Sequence, residues 1–212
     1  MKKYWVVVGI AVLACACEPK PDSTKLLDNV VVSTSYDVAA NFASYATYAI
    51  PTDTIGFYSN ASNDTIITER DSDFPRLVID AVKTNMSDRG YTLVNRNQGP
   101  DLGINISVVN DFNVFQQVVY GGYGGYGGYG AGYYYPGYYG YGSYYYPYVN
   151  TYTSNTGVLV IEMVDLKNKG ANNSVKGIWT ANMGDIYSTI DLVKETTEGI
   201  NQSFKQSPYI KR

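Results

Sequence analysis

Residues 157–183 read GVLVIEMVDLKNKGANNSVKGIWTANM, two apolar segments separated by a polar one. Gly157 to Val164 is a nearly continuous apolar run, which is typical of a strand. Lys167 to Asn173 is rich in Asn, Lys and Gly and provides a turn. Ser174 to Met183 follows as a second strand, whose predicted apolar face consists of Val175, Trp179, Ala181 and Met183. The stretch therefore predicts a β-hairpin.

The segments on either side of this hairpin predict a third strand and a helix. Asp101 to Phe115 alternates apolar and polar residues, with Asn105 and Ser107 opposite the apolar set, as in a half-buried strand. Thr189 to Lys205 has apolar residues three and four positions apart, which predicts a helix packed on the sheet. Ser188 to Asp191 fits a capping box at its start, with Asp in place of Glu.

Further upstream the sequence predicts another helix and several short strands. Val78, Val82 and Met86 recur every four residues, so a helix is expected from about Phe74 to Arg89. Asp73 is suited to cap this helix, and Gly90 to end it in the left-handed conformation that glycine adopts without steric cost. The predicted strands are Asn29–Tyr36, Tyr45–Ile50 and Tyr91–Val94, and the polar stretch Thr52–Thr68 is expected to be a long surface loop.

This order of elements predicts an α+β fold, an antiparallel β-sheet with two α-helices packed on one face. The single domain is expected to span residues 29–208, with a Tyr/Gly-rich insertion at about residues 119–149.

The N-terminus has the successive parts of an export signal. Two lysines precede an apolar run from Tyr4 to Ala14, and small residues lead to cysteine in Leu13-Ala14-Cys15-Ala16-Cys17. This pattern predicts lipid attachment and membrane association in the bacterial cell envelope, with the outer membrane as the expected location. Residues 1–16 are therefore predicted to form a lipoprotein signal peptide, and residues 17–28 a lipidated tether. Cys17 is favoured because its use leaves no free thiol in the mature chain, and Cys15 is the alternative.

The insertion at residues 119–149 is hereafter called the Tyr/Gly segment. It has Gly-Gly-Tyr triplets from Gly121 to Tyr129, and it contains no charged residue. Repeated glycine raises the entropy lost on ordering, whereas tyrosine rings stack and hydrogen-bond. Three interpretations are open: a flexible, loosely packed connection, a contact surface for protein, glycan or membrane, and a partly ordered hairpin extension. The candidate contact residues are Tyr123, Tyr126, Tyr129, Tyr134, Tyr139 and Tyr145.

The composition bears on possible chemistry. The chain has no histidine, which removes the commonest general base and transition-metal ligand. Asp64, Glu69, Asp71 and Asp73 are candidate calcium ligands, but helix capping and solvation account better for these carboxylates. Without the two lysines of the signal, 14 basic and 19 acidic residues remain, which argues against a nucleic-acid partner. No catalytic residue, metal ligand or cofactor is predicted.

Five short segments occur in a recognisable order: Tyr45-Ala46-Thr47-Tyr48-Ala49, Gly90-Tyr91, Pro100-Asp101-Leu102, Gly157 to Ile161 with Asp165 and Trp179, and Phe204 to Pro208. In this order they resemble the bacterial lipoproteins of the domain of unknown function 4136 family. The departures are Ile50, where the family often has Trp, and Thr180-Ala181, where a basic residue and Gly often follow the Trp. The resemblance implies an α+β envelope domain without an established activity.

Three functions follow as hypotheses. The first is a lipid-anchored envelope protein with a non-enzymatic binding or structural role, its partners being envelope proteins or glycans. The second is a glycan- or peptidoglycan-binding lipoprotein, in which tyrosine rings stack on sugars. The third is a carboxylate-dependent hydrolase, which would require two carboxylates to face each other across a cleft.

Overall fold

The computed structural model describes eleven strands and two α-helices. The described ranges are residues 30–50, 55–59, 65–67, 73–110, 115–117, 144–145, 150–152, 157–170, 175–186 and 191–212. Within these ranges, the side chains of residues 57–59, 65–67, 109–110, 115–117, 144–145 and 150–152 are not described. The strands are β1 Val31–Tyr36, β2 Thr47–Ala49, β3 Ile55–Ser59, β4 Thr65–Ile67, β5 Thr92–Leu93, β6 Leu102–Asn110, β7 Phe115–Gln117, β8 Tyr144–Tyr145, β9 Asn150–Tyr152, β10 Val158–Asp165 and β11 Val175–Gly184, and the helices are α1 Asp73–Asp88 and α2 Leu192–Lys205.

The centre of the fold is an antiparallel group of four strands in the order β1-β11-β10-β6. β10 and β11 form the predicted hairpin, with Leu159 opposite Met183 and Ile161 opposite Ala181. The α+β architecture is confirmed. The sheet as a whole is mixed, because β2 and β3 both join β6 in parallel and β8 joins β11 in parallel.

The predicted surface loop at residues 52–68 is wrong in part. Residues 55–59 form β3, which pairs with β6 through Gly56 and Ser107, and residues 65–67 form β4, which pairs with β3. Ile55 is fully buried in the core. The polar composition of this stretch did not predict two short strands. Their formation depends on pairing with an edge of β6, which is distant in sequence.

A β-bulge in β11 changes which residues reach the core. Met163 pairs with Trp179, but Val164 pairs with Gly177, so Ile178 is an extra residue in β11. Ile178 and Trp179 therefore both belong to the core cluster, and Val175 falls on the opposite face of the sheet. The prediction that Val175 shares a face with Trp179 is wrong, since a one-residue shift reverses the alternation.

Both helices pack on the core face of the sheet. In α1 the predicted apolar face is confirmed, because Val78, Val82 and Met86 are buried in the same cluster as Trp179. Gly90 follows α1 with φ of 87°, as its predicted role requires. None of the helices among the described residues is long and apolar enough to cross a membrane.

The start of α2 differs from the predicted capping box. The helix begins at Leu192, and the side chain of Asp191 accepts a hydrogen bond of 3.0 Å from the Lys194 backbone N–H. Asp191 is thus the N-cap residue itself and not the third residue after a cap, whereas Ser188 lies outside the described residues. Further along α2, Ile200 and Phe204 are fully buried as predicted.

Candidate functional site

Most of the side chains predicted to carry function lie outside the described residues. This is true of Cys15 and Cys17, and of five of the six candidate contact tyrosines, Tyr123, Tyr126, Tyr129, Tyr134 and Tyr139. The sixth, Tyr145, belongs to β8, and its backbone pairs with Lys176 of β11. The structure therefore attaches one point of the Tyr/Gly segment to the sheet.

The candidate calcium carboxylates are only partly described. Asp64, Glu69 and Asp71 lie outside the described residues, and so does any cleft they would line for hydrolysis. Asp73 opens α1 and forms an exposed ion pair of 2.8 Å with Arg76. This position matches the helix-terminal role that was favoured over calcium binding. Within the described ranges, no three Cys, Asp or Glu residues are grouped as metal ligands.

A buried carboxylate, Asp165, terminates β10. Its Oδ2 accepts hydrogen bonds from the Tyr45 hydroxyl at 2.7 Å and from the Asn168 side-chain amide at 2.9 Å. Its Oδ1 accepts from the backbone N–H groups of Lys167 at 3.0 Å and Asn168 at 2.8 Å. Burial, reinforced by the negative charge of Asp165, raises the pKa of Tyr45, which therefore remains a neutral donor.

A second carboxylate joins this group from the start of β6. Asp101 Oδ2 accepts from the backbone N–H groups of Ala46 at 2.6 Å and Thr47 at 3.3 Å. Lys167 lies 3.7 Å from Asp101 Oδ1 and donates to the Ser44 carbonyl at 2.7 Å. Tyr45, Asp101, Asp165, Lys167 and Asn168 are together called the Asp165 cluster. Both carboxylates are occupied by the chain's own donors, so the cluster fixes the β2 region to the sheet.

The Asp165 cluster was missed in the sequence, although three of its members form a recognisable local pattern. Asp165 ends an apolar strand and is followed by Lys167 and Asn168, and Asp-to-backbone hydrogen bonds two and three residues on are a common turn device. The partner Tyr45 is 120 positions away in sequence, so only the fold brings the two together.

Replacing Tyr45 by Phe removes one donor from a buried carboxylate. We expect Tyr45→Phe to lower the free energy of unfolding by about 1.5–3 kcal/mol, the usual contribution of a hydrogen bond to a charged group. The matched control is Tyr91→Phe, because Tyr91 donates at 3.0 Å to a neutral acceptor, the Phe42 carbonyl. Urea denaturation followed by circular dichroism measures both variants. Equal losses would contradict a special contribution from Asp165.

The sheet face opposite the helices is unexpectedly polar, and it is buried. Glu162 of β10 stands between Asn105 of β6 and Thr180 of β11, and the Asn105 amide donates to Glu162 Oε2 at 3.0 Å. In the next row, Val160 stands between Ser107 and Asn182. These rows are called the polar face, whose polar members are Asn105, Ser107, Glu162, Thr180 and Asn182.

Burial of the polar face contradicts the half-buried strand predicted for β6. Glu162, Thr180 and Asn182 are fully buried, and Ser107 and Asn105 are 1% and 8% exposed. Among the described residues, the Ser107 hydroxyl and both atoms of the Asn182 amide have no hydrogen-bond partner. Each such group costs about 1–3 kcal/mol when it is removed from water unpaired. The polar face is thus a buried surface that carries unpaired polar groups.

The fold defines the class of protein, a small α+β domain. The chain belongs to the family described as a domain of unknown function (DUF4136), whose model matches residues 32–209. The resemblance carried by the short segments is therefore confirmed. A search of curated proteins found no match.

One similar solved structure is that of a member of this family. A crystal structure of a DUF4136 family protein from Bacteroides thetaiotaomicron is 29% identical, covers 87% of this chain and 98% of its own, and has a TM-score of 0.64. A PelC dodecamer from Paraburkholderia phytofirmans has 14% identity and a TM-score of 0.40, covering 86% of this chain and 99% of its own. A PDZ domain protein from Parabacteroides distasonis has 15% identity and a TM-score of 0.44, covering 87% of this chain and 37% of its own.

Proposed function

We propose that this protein is a lipid-anchored lipoprotein of the bacterial cell envelope, and that its domain presents the Tyr/Gly segment as a non-enzymatic contact surface for envelope partners. The observation that carries the binding role is the ladder between β7 and β9. It pairs Phe115 with Tyr152 and Gln117 with Asn150, and so holds the two ends of the segment together.

The anchor is inferred from the N-terminus. An apolar run leads into Leu13-Ala14-Cys15-Ala16-Cys17, and small residues before a cysteine characterise the lipoprotein form of a signal peptide. Lipid at Cys17 would be followed by the short polar stretch from Glu18 to Lys25, which acts as a tether. The domain would then lie close to the membrane without crossing it.

A binding role is favoured over catalysis by the residues that the chain offers. It contains no histidine, and its described buried carboxylates are held in internal hydrogen bonds. Tyrosine, in contrast, is concentrated in one segment closed by a ladder. Tyrosine presents a large amphipathic ring at a small cost in side-chain entropy, which suits it to protein contacts.

Removing the segment should abolish binding without unfolding the domain. We expect a chain lacking Gly121–Tyr148, joined by a short Gly-Ser linker, to keep its cooperative thermal transition but to lose envelope partners in a pull-down. A matched control keeps the segment's length and replaces its tyrosines by serine, and it should lose the same partners. Unchanged recovery of those partners by both variants would contradict the proposal.

Glycan binding is the second candidate, because exposed tyrosine rings can also stack on sugar faces. In that case tyrosine fluorescence should change on titration with peptidoglycan fragments or polysaccharides, and the tyrosine-to-serine control should not respond. A flat response across a glycan panel would leave proteins as the partner class.

A further inference from the structure

The burial of the polar face requires an occupant. In the part of the chain that the structure describes, α1 and α2 share the core cluster on the other side of the sheet. Glu162, Thr180 and Asn182 are nevertheless fully buried on the polar face. Something other than these helices therefore covers it, and the described strands β7, β8 and β9 indicate what it is.

The position of β8 restricts where β9 can lie. Tyr145 of β8 pairs with Lys176 of β11, and Lys176 also pairs with Asp165, the last residue of β10. β8 therefore lies at this end of the sheet, called the Lys176 end. Asn150 of β9 follows Tyr145 by only five positions. Five residues reach at most about 18 Å, even when fully extended. β9 must therefore lie within that distance of the Lys176 end of the sheet.

A hairpin that projected straight from β6 and β10 would violate this limit. β10 starts at Val158, which lies at the opposite end of the sheet from Lys176, about 26 Å away along β11. A straight extension would place Tyr152 about 20 Å further out, and so about 45 Å or more from Tyr145. The seven positions between these residues span at most about 25 Å.

We infer that the paired strands β7 and β9, called the β7–β9 ribbon, fold back across the polar face of the sheet and are its occupant. The chain must return from the Lys176 end to Val158, and the helices already occupy the other face. A second layer lies about 10 Å above a sheet, close enough to exclude water from the residues beneath it. The inference does not depend on lipid attachment or on any partner.

Docking of the β7–β9 ribbon on the polar face determines which side of the molecule meets a partner. The ribbon holds both ends of the Tyr/Gly segment, so these ends lie on the side of the domain opposite α1 and α2.

Spin-label distances test this inference directly. The full-length chain is used in detergent, with Cys15 and Cys17 replaced by Ser so that only introduced cysteines are labelled. In the pair Gln116→Cys and Lys169→Cys, the folded-back ribbon predicts a separation of about 20–30 Å, because Gln116 then lies above the sheet. A projecting hairpin predicts about 45 Å or more, and that result would overturn the inference.

A second pair identifies the face. Asp80 is exposed on the outside of α1, so Gln116→Cys with Asp80→Cys should give about 30 Å or more if the ribbon lies on the polar face. A separation below about 20 Å would place the ribbon on the helix side and contradict the inference. If the Gln116 variants misfold, Gln117→Cys is used instead. Partner binding can fail while these distances hold, so the two proposals are tested independently.

Discussion

Replacing Trp179 by Ala is expected to lower the free energy of unfolding by about 3–5 kcal/mol, the usual cost of truncating a buried tryptophan. Trp179 is fully buried at the start of the bulge in β11 and lies 5.1 Å from Phe204, ring centre to ring centre. Its indole N–H donates to the Ser207 hydroxyl at 2.9 Å. One side chain thus links the sheet to α2 and to the C-terminal segment. Since small domains are stable by about 5–15 kcal/mol, the loss should be severe.

Two milder variants separate the contributions of Trp179. Ser207→Ala removes the hydrogen-bond acceptor and should cost about 1 kcal/mol, whereas Trp179→Phe should fall between that value and the alanine variant. Urea denaturation followed by far-ultraviolet circular dichroism measures all three. A loss below about 1 kcal/mol for Trp179→Ala would contradict the central packing role.

Replacing Cys17 by Ser is expected to abolish lipid attachment completely. In the proposed lipoprotein the Cys17 thiol receives the lipid, and a serine hydroxyl is not expected to substitute for it. Metabolic labelling with an alkyne analogue of palmitate measures the modification in cells. The wild-type protein and the Cys15→Ser variant should carry the label, and Cys17→Ser should not.

The other outcomes of this labelling are equally informative. Loss of label in Cys15→Ser alone would move the attachment to the alternative cysteine. Absence of label from the wild-type protein would contradict the lipoprotein assignment. Fractionation adds a physical consequence, because each buried methylene of an acyl chain contributes about 0.8 kcal/mol to membrane binding. The unlabelled variant should therefore be lost from the outer-membrane fraction.

Local signals were sufficient to predict the hairpin and both helices. The apolar run of β10, the periodicity of α1 and the left-handed Gly90 each depend on neighbours in sequence, and the structure bears them out. Such features can be predicted from the sequence because the hydrogen bonds and the buried face involve residues only a few positions apart.

The features that were missed depend on distant partners. β3 exists because an edge of β6 is available to it, and the bulge at Ile178 reverses the face on which Val175 lies. Asn105 and Ser107 have the pattern of a solvent-facing row, but the whole polar face is covered. Polar residues in alternation indicate a solvent face only when no second layer packs on it, and a sequence pattern does not reveal that layer.

The candidate site divides in the same way. The Tyr/Gly segment is evident from composition alone, because no other part of the chain concentrates one aromatic residue to this extent. The closure of its ends by β7 and β9, and the attachment of Tyr145 to β11, emerge only from strand pairing. Composition thus indicated the candidate contact residues, and strand pairing indicates how the ends of the segment are held.

Photo-crosslinking in living cells tests the central claim most directly, that the Tyr/Gly segment is the envelope contact surface. A photoreactive amino acid is placed at Tyr123 or Tyr134, and, as a control, at Asp80 on the exposed side of α1. The account predicts discrete crosslinked products from the two tyrosine positions that are absent from the Asp80 position and lost with Cys17→Ser. Identical products from all three positions, or none from the tyrosine positions in the anchored protein, would contradict it.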